Sequence, residues 1–186
     1  MEKGIEYQFI FQHKYSVGKI LNIGCNEDIS KLRERKGAVN LDICRYDPGS
    51  LKMNKVDIVA DARNLPMNCH KSFNTIIVGD LLEHCKRDDI KKILEESKKC
   101  LIDGGIILIT FPKDRRKVDE QNTDHKDTDL EYTPGISVYH KECLELGVVT
   151  DILTELKLMI ELAEEIDYGF ARGWGLVVKE FKGNGI

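Results

Sequence analysis

The chain of 186 residues carries 28 Lys and Arg against 32 Asp and Glu, and its apolar fraction is 41%. This length and composition exclude a disordered or collagen-like protein and are typical of one globular domain, residues 1–186, with a buried core. The net charge of −4 argues against a protein whose main task is to coat nucleic acid or an anionic membrane.

Short apolar runs rich in branched side chains predict the strands of a mostly parallel sheet. The clearest runs are residues 19–23, 74–78 and 106–111, and two weaker ones are residues 38–42 and 56–60. An amphipathic helix is predicted from Arg87 to Leu101, with Asp88 as its cap and Gly104-Gly105 as its end. The alternation of strands and helices indicates an α/β fold.

The stretch 113–131 interrupts this alternation because twelve of its nineteen residues are charged. It is predicted to be a solvated loop, and it follows a central strand at the edge where open α/β sheets bind ligands. Beyond it, helices are predicted at 139–146 and 151–156, and a closing pair of strands at 159–166 and 174–181 joined by a turn at 168–173.

The cysteines indicate a reducing compartment. They lie at positions 25, 44, 69, 85, 100 and 143, and no two have the Cys-x-x-Cys spacing of a zinc or redox motif. The first residues are charged rather than apolar, and the apolar run 106–111 is far shorter than a membrane span. We therefore expect a cytoplasmic protein with reduced thiols, no metal site and no membrane partner.

A glycine follows the first strand directly. Gly24 allows a tight turn and lets a ligand lie against main-chain N–H groups near a helix N-terminus. The dinucleotide fingerprint Gly-x-Gly-x-x-Gly is absent, because Asn26 and Ile29 stand where the other glycines would fall. This argues against a nicotinamide or flavin cofactor.

Carboxylates follow the next three predicted strands. Asp42 ends the second strand, Asp61 with Ala62 follows the third, and Gly79 with Asp80 follows the fourth. A carboxylate in the place of Asp42 can accept two hydrogen bonds from a ribose diol. Each aspartate alone is often only a helix cap, but all of these positions lie at the carboxyl ends of neighbouring strands and converge on one crevice.

These segments together resemble the class I S-adenosylmethionine-dependent methyltransferases, over about residues 19–112. The matching segments are Leu-Asn-Ile-Gly-Cys at 21–25, Ala-Val-Asn-Leu-Asp-Ile at 38–43, Asp-Ala-Arg-Asn-Leu-Pro at 61–66, Ser-Phe-Asn-Thr-Ile at 72–76, Leu-Leu-Glu-His at 81–84, Leu-Ile-Asp-Gly-Gly at 101–105 and Thr-Phe-Pro at 110–112. The resemblance implies a Rossmann-like, mostly parallel seven-stranded sheet with helices on both faces and a C-terminal antiparallel pair. It divides the domain into a cofactor-binding half at about 19–112, the charged loop 113–131 and a substrate-side half at 132–186.

The resemblance also implies a set of residues that bind S-adenosylmethionine. Gly24 and Cys25 would pass the methionine end of the cofactor, and Asp42, with Ile43 beside it, would bind the ribose hydroxyls. Asp61 would face the adenine amino group, and the Ala62 N–H would face a ring nitrogen. Gly79 and Asp80 would line the pocket beside the sulfonium, and Asn22 and Asn26 complete the set.

The set departs from the family at two positions. Asn22 stands where the family usually has an acidic residue, and Asn26 where it usually has a second glycine. These departures keep open an alternative function, a catalytically weak, methyltransferase-like binding module that acts as a partner subunit.

The methyl acceptor has weaker signals. The candidate substrate residues are His84, Arg115 and His125. Arg115 belongs to a basic cluster at 113–117 that can bind an anionic group of the acceptor. The acidic residues that follow argue against nucleic acid, which needs an extended basic surface. No Asn-Pro-Pro-Tyr motif of amino-methylating enzymes follows the fourth strand, so we expect a hydroxyl of a small molecule or glycan as the acceptor. Asp80, His84, His125 and His140 are candidate bases, and neither a catalytic base nor an oligomeric state is predicted.

Overall fold

The computed structural model describes residues 3–24, 37–43, 56–113, 144–167 and 172–181. In chain order the elements are helix α1 (Lys3–Tyr15), strands β1 (Ile20–Ile23), β2 (Val39–Asp42), β3 (Ile58–Val59) and β4 (Phe73–Gly79), helix α2 (Arg87–Cys100), strand β5 (Leu101–Pro112), helix α3 (Leu146–Glu155), and strands β6 (Leu158–Asp167) and β7 (Arg172–Glu180). Short 3-10 turns lie at Met67–Cys69 and Leu82–His84. Within these residues, no helix is long and apolar enough to cross a membrane.

The strands form one sheet in the order β3-β2-β1-β4-β5-β7-β6. Neighbours from β3 to β5 are parallel, whereas β7 runs antiparallel to both β5 and β6. The predicted α/β fold with a mostly parallel sheet and a C-terminal antiparallel pair is confirmed. Strand order reverses between β1 and β4, and in open α/β sheets the crevice at the carboxyl ends of two such strands is where ligands bind.

Helices cover both faces of the sheet, as predicted. Successive side chains of each central strand point to opposite sides, so apolar strands give the sheet two apolar faces to cover. Ile76 and Val78 of β4 belong to the apolar core shared with α2 and α3, whereas Ile77 between them packs in the core that contains Phe11 of α1. All three of these β4 side chains are fully buried, and each such burial contributes roughly 1.5–3 kcal/mol.

Two predicted details of helix α2 are wrong. The residue that caps its start is Lys86, without a side-chain bond, and Asp88 is an exposed residue of the first turn. The predicted bounds, about Arg87 to Leu101, differ from the observed ones by one residue, but Gly104-Gly105 does not end the helix, because Leu101 pairs with Phe73 and begins β5. Gly104, at φ +82°, lies within β5, at the irregularity where the register with β4 shifts.

The C-terminal elements differ from the prediction in one respect. Helix α3 is a single helix from Leu146 to Glu155, because Val149, Ile152 and Leu153 form one buried face. The predicted helix 139–146 and the turn 168–173 lie largely outside the described residues, as does the loop 113–131 beyond Lys113. The predicted strands 159–166 and 174–181 correspond to β6 and β7.

Helix α1 was not predicted from the sequence. Its residues Phe11, Gln8 and Gln12 are buried, and the helix packs against β5, β6 and β7. Lys14 forms an ion pair of 3.0 Å with Glu164 of β6, and the Tyr15 hydroxyl donates to the same carboxylate. The N-terminal helix is thereby attached to strands near the other end of the chain.

Candidate functional site

The carboxyl ends of the central strands lie side by side. Ile23 of β1 is in register with Leu41 of β2 and Val78 of β4, and Gly79 is in register with Thr110 of β5. The residues that follow these positions therefore meet at one edge of the sheet, at the point where strand order reverses. The structure brings Gly24, Asp42, Gly79 and Asp80 together at this edge, which we call the carboxyl edge.

The turn after β1 requires glycine. Gly24 has φ +69°, a left-handed conformation that costs other residues about 1–2 kcal/mol. A Cβ atom on Gly24 would also lie 3.1 Å from the Leu81 side chain, closer than ordinary packing allows. Its N–H donates to the Leu41 carbonyl at 3.0 Å, which holds the turn against β2. Cys25 and Asn26, the next two predicted site residues, lie outside the described part of the chain.

Asp42 ends β2 with its carboxylate held in place by the backbone. The Ile43 N–H donates to Asp42 Oδ1 at 2.6 Å, and the Asp42 carbonyl accepts the Ala60 N–H at 3.0 Å. Both Asp42 and Ile43 are partly exposed. A carboxylate has about four acceptor positions, and the Ile43 N–H occupies one of them.

Asn22 forms a side-chain hydrogen bond across the sheet. Its Nδ2 donates to Oδ1 of Asn40, its register partner on β2, at 3.2 Å. Asn40 is fully buried, and its backbone N–H donates to Asp57 Oδ2 at 2.9 Å. The amide at position 22 therefore has a structural partner on β2 in this chain.

Asp61 forms an ion pair with Arg63, which sequence analysis did not single out. Arg63 Nη2 lies 2.7 Å from Asp61 Oδ2, and Nε lies 3.0 Å from Oδ1 and 3.1 Å from Oδ2. Hydrogen bonds from Arg63 lower the pKa of the Asp61 carboxyl, and Asp61 in turn raises the pKa of the guanidinium. Arg63 Nη1 also reaches Oδ1 of the buried Asp89 on α2, at 3.3 Å. Ala62, between the pair, is buried.

Gly79 lies beneath two glutamine side chains of α1. A Cβ atom at this position would lie 2.7 Å from Gln12 Nε2 and 2.8 Å from Gln8 Nε2. Gln8 donates to the Thr110 hydroxyl at 2.9 Å. Helix α1 therefore closes one side of the carboxyl edge. The i, i+4 spacing of the two glutamines in the sequence was not enough to predict this contact.

Asp80 stands in a strained conformation at the end of β4, with φ +46°. Its N–H donates to the Thr110 carbonyl at 2.9 Å, and the Thr110 hydroxyl lies 3.4 Å from its Oδ1. Strand β5 thus fixes both the backbone and the carboxylate of Asp80. Backbone strain of this kind costs roughly 1–3 kcal/mol and is found preferentially at functional sites.

The 3-10 turn after Asp80 carries a buried acid. Glu83 is 3% exposed, and its Oε2 atom has no hydrogen-bond partner. Burial, and secondly the charge of Asp80, raise the pKa of this carboxyl well above its ordinary value. His84, a predicted substrate residue, is the next residue and is partly buried. Arg115 and His125, the other two, lie outside the described residues.

The remaining titratable groups give no metal site in the described ranges, where no three His, Cys, Asp or Glu side chains are placed to hold an ion. Cys69, Cys85 and Cys100 are free and buried. Burial raises the pKa of the Cys85 and Cys100 thiols to about 12. These three cysteines therefore act as apolar packing groups rather than as nucleophiles.

Known proteins are similar to this chain in sequence pattern and in fold. A family model described as a methyltransferase domain matches residues 21–109, from β1 to β5. No curated protein matches the sequence. The chain is similar to the structure of an S-adenosylmethionine-dependent methyltransferase from Clostridium acetobutylicum ATCC 824, at 14% identity and a TM-score of 0.63, over 97% of this chain and 93% of the other.

Two further structures are similar over most of both chains. One is the 1,6-didemethyltoxoflavin-N1-methyltransferase of Burkholderia thailandensis with bound 1,6-didemethyltoxoflavin and S-adenosylhomocysteine, at 11% identity and a TM-score of 0.66, over 97% of this chain and 80% of the other. The other is a chain of a complex that contains the Haloferax volcanii Trm112 methyltransferase activator, at 13% identity and a TM-score of 0.64, over 96% and 91%.

The structural likenesses, at these low identities, establish the fold. The family model adds the sequence pattern of β1 to β5, which contains Gly24, Asp42, Asp61 and Gly79. Residues 21–109 thus match a methyltransferase domain, and the solved structures share the fold of this chain over nearly its whole length.

Proposed function

We propose that the chain transfers a methyl group from S-adenosylmethionine to a hydroxyl of a small molecule or glycan, in the cytoplasm. The observation that carries this proposal is the arrangement of the carboxyl edge, where Gly24, Asp42 and Asp80 follow adjacent parallel strands at the reversal of strand order. The absence of an Asn-Pro-Pro-Tyr motif, with Gly79-Asp80-Leu81-Leu82 in its place, favours a hydroxyl over an amine.

The residues of the carboxyl edge fit this cofactor. The Asp42 carboxylate, held by the Ile43 N–H, accepts the two ribose hydroxyls. Gly24 gives the turn after β1 its left-handed conformation, and Gly79 leaves room for the Gln8 and Gln12 side chains that close one side of the site. Asp61 receives the adenine amino group by giving up part of its four hydrogen bonds from Arg63, while the Ala62 N–H faces a ring nitrogen. Cys25 and Asn26 complete the set in this proposal.

The chain's own residues contribute mainly position and exclusion of water. When bound, the cofactor supplies a methyl group on a sulfonium, and the neutral thioether that remains after transfer is an excellent leaving group. Holding an acceptor in line with the S–CH3 bond is worth roughly 7–11 kcal/mol. Helix α1 closes one side of the site through Gln8 and Gln12. Removal of the hydroxyl proton by a base typically adds about 10²- to 10⁴-fold, and Asp80, fixed by Thr110, is the described carboxylate in the best place to accept it.

Calorimetric titration with S-adenosylmethionine and S-adenosylhomocysteine tests the cofactor site. We expect Asp42→Ala to lose about 10²- to 10⁴-fold in affinity for both ligands, because each of its two hydrogen bonds to the ribose hydroxyls contributes about 1.5–3 kcal/mol. The matched control is Asp103→Ala, since Asp103 is an exposed residue whose partner, Lys71, is also exposed. Equal affinities of the two variants would show that the ribose assignment is wrong.

The second candidate function is a partner subunit that binds cofactor weakly. Asn22 favours it, because its amide is engaged with Asn40 and lacks the charge that would orient the cofactor amine. A similar structure is that of a complex containing a methyltransferase activator, so assembly with another chain is compatible with this fold. A folded protein that binds neither ligand would support this function, whereas binding followed by turnover of hydroxyl acceptors would support the first.

A further inference from the structure

The segment that follows β3 is attached to helix α2 through two acidic side chains of that helix. Asp89 Oδ1 lies 3.3 Å from Arg63 Nη1, and Glu96 Oε2 accepts the Leu65 N–H at 2.9 Å. Both acids are buried. The first of these contacts engages a residue that is also bound to the Asp61 carboxylate, whereas the second engages only the main chain. Asp89 can therefore act on Asp61 through Arg63.

The Asp61 carboxylate is filled by hydrogen bonds from Arg63. The backbone N–H and Nε of Arg63 donate to Oδ1 at 2.9 and 3.0 Å, and Nε and Nη2 donate to Oδ2 at 3.1 and 2.7 Å. A carboxylate has about four acceptor positions. An amino group of a ligand that binds Asp61 must therefore displace at least one of these bonds, and the guanidinium can give way without a change of the main chain.

Arg63 is shared unequally between its two carboxylates. Its contact of 3.3 Å with Asp89 is longer than the roughly 2.7–3.2 Å of ordinary N–H···O bonds, whereas its shortest bond to Asp61 is 2.7 Å. The Asp61 side chain is 32% exposed, while those of Arg63 and Asp89 are 16% and 12% exposed. A ligand thus reaches Asp61 most easily. An enclosed guanidinium is costly to leave unpaired, so it can release Asp61 only toward another anion, and Asp89 is that anion.

We propose that Asp89 is a positioning residue that draws Arg63 partly away from Asp61 when the cofactor binds, so that Asp61 can accept the adenine amino group. The inference rests on the proposed function, in which Asp61 faces that amino group. Arg63 then determines base specificity, because it competes with the amino group for the same carboxylate oxygens. A base with a carbonyl oxygen in this place cannot donate to Asp61 and leaves the bonds from Arg63 intact.

Titration calorimetry with S-adenosylhomocysteine and S-inosylhomocysteine tests the proposal. In the second ligand a carbonyl oxygen replaces the amino group of the base, and the neighbouring ring nitrogen carries a hydrogen. We expect the wild type to prefer the adenine ligand by about tenfold or more, because a hydrogen bond to a charged group separates the two. Asp89→Asn keeps the shape of the side chain but removes the charge that draws Arg63, so this preference should fall by about three- to tenfold.

Arg63→Lys should change the preference in the opposite direction. A lysine ammonium is a point charge without the fork of a guanidinium, so it fills fewer acceptor positions of Asp61. The backbone N–H of residue 63, which donates to Asp61 Oδ1 at 2.9 Å, remains in this variant and keeps the carboxylate oriented. The preference for the adenine ligand should therefore rise by about three- to tenfold. A merely structural role of the ion pairs would not change this ratio in opposite directions.

Glu96→Gln is the matched control, since Glu96 is a buried acid of the same helix and holds the same segment through Leu65. It should keep the wild-type preference. An unchanged preference in Asp89→Asn, a fall in Arg63→Lys, or an equal fall in the control would each overturn the inference. If one variant does not fold, the other still decides.

The wild type gives a further test that needs no variant. Equal affinity for the two ligands would overturn the inference, because Asp61 would then not distinguish an amino group from a carbonyl oxygen. If folded wild type binds neither ligand, the proposed function itself fails, an outcome distinct from binding without a preference.

Discussion

Replacing Arg63 by methionine is expected to destabilise the fold by about 2–3 kcal/mol. Arg63 makes three side-chain contacts of 2.7–3.1 Å with Asp61 and one of 3.3 Å with Asp89. Removing one partner of a fully buried pair costs roughly 3–5 kcal/mol, because the remaining charge stays uncompensated. The Asp61 side chain is 32% exposed and that of Asp89 12%, so solvent reduces this figure.

Urea denaturation of wild type and Arg63→Met measures the loss, and thermal unfolding should show a decrease of about 5–10 °C for a chain of this size. The matched control is Arg172→Met, since Arg172 is 75% exposed and lies 3.7 Å from Glu165. Such a surface pair is worth about 0–1 kcal/mol. A loss in Arg63→Met no larger than in the control would refute the reasoning.

The loss of stability in Arg63→Met should depend on pH in a definite direction. Arg63 lowers the pKa of Asp61 in the folded protein, so the pair stabilises the fold at pH values above the ordinary pKa of an aspartate. This stabilisation is lost as the pH falls through the lowered pKa. The difference in unfolding free energy between wild type and Arg63→Met should therefore be full near neutral pH and shrink in acid. A constant difference would point to lost packing instead.

Three other changes have definite expected results. Gly24→Ala should lower the free energy of unfolding by about 1–2 kcal/mol in urea denaturation, because Gly24 has a positive φ. Gly147 lies in open space within helix α3, so Gly147→Ala should raise the free energy of unfolding by about 0.5–1 kcal/mol. Losses of equal size in the two variants would contradict this. Ile93→Ala, at a fully buried position of α2, should lose about 2–5 kcal/mol. The folded-state pKa of Glu83 is raised, so the unfolding free energy of the wild type should fall as the pH rises from the ordinary pKa of a glutamate to the raised one. The slope is up to about 1.4 kcal/mol per pH unit, and Glu83→Gln should remove this contribution. An unchanged pH profile in the variant would contradict the prediction.

The sequence predicted elements whose burial follows from their own composition. Strands β1, β4 and β5 are apolar runs with branched side chains, and they form the centre of the sheet. Helix α1 was missed because two of its buried side chains are glutamines, and their burial depends on Thr110 and Gly79, which lie far away in the chain. The end of α2 was predicted to within one residue, but Gly104-Gly105 is not its stop signal, because Leu101 pairs with Phe73 in the sheet.

Within the candidate site, the positions after the strands could be predicted because parallel strands all end at the same edge. The partners of these side chains could not. Arg63 is only two residues from Asp61, so its spacing was a signal that the sequence offered. Nothing in the local sequence distinguishes the buried Glu83 from the exposed Glu95, because burial of Glu83 depends on how the turn packs after β4.

The position of α1 has a consequence for synthesis of the chain. Helix α1 leaves the ribosome before the strands β6 and β7 to which it is attached, and Glu164 follows Lys14 by about 150 residues. At about 5–20 residues per second, the helix waits for several seconds or more without its docking surface. Gln8 and Gln12 therefore reach Gly79 late, and this side of the site is completed only after β6 and β7 have been made.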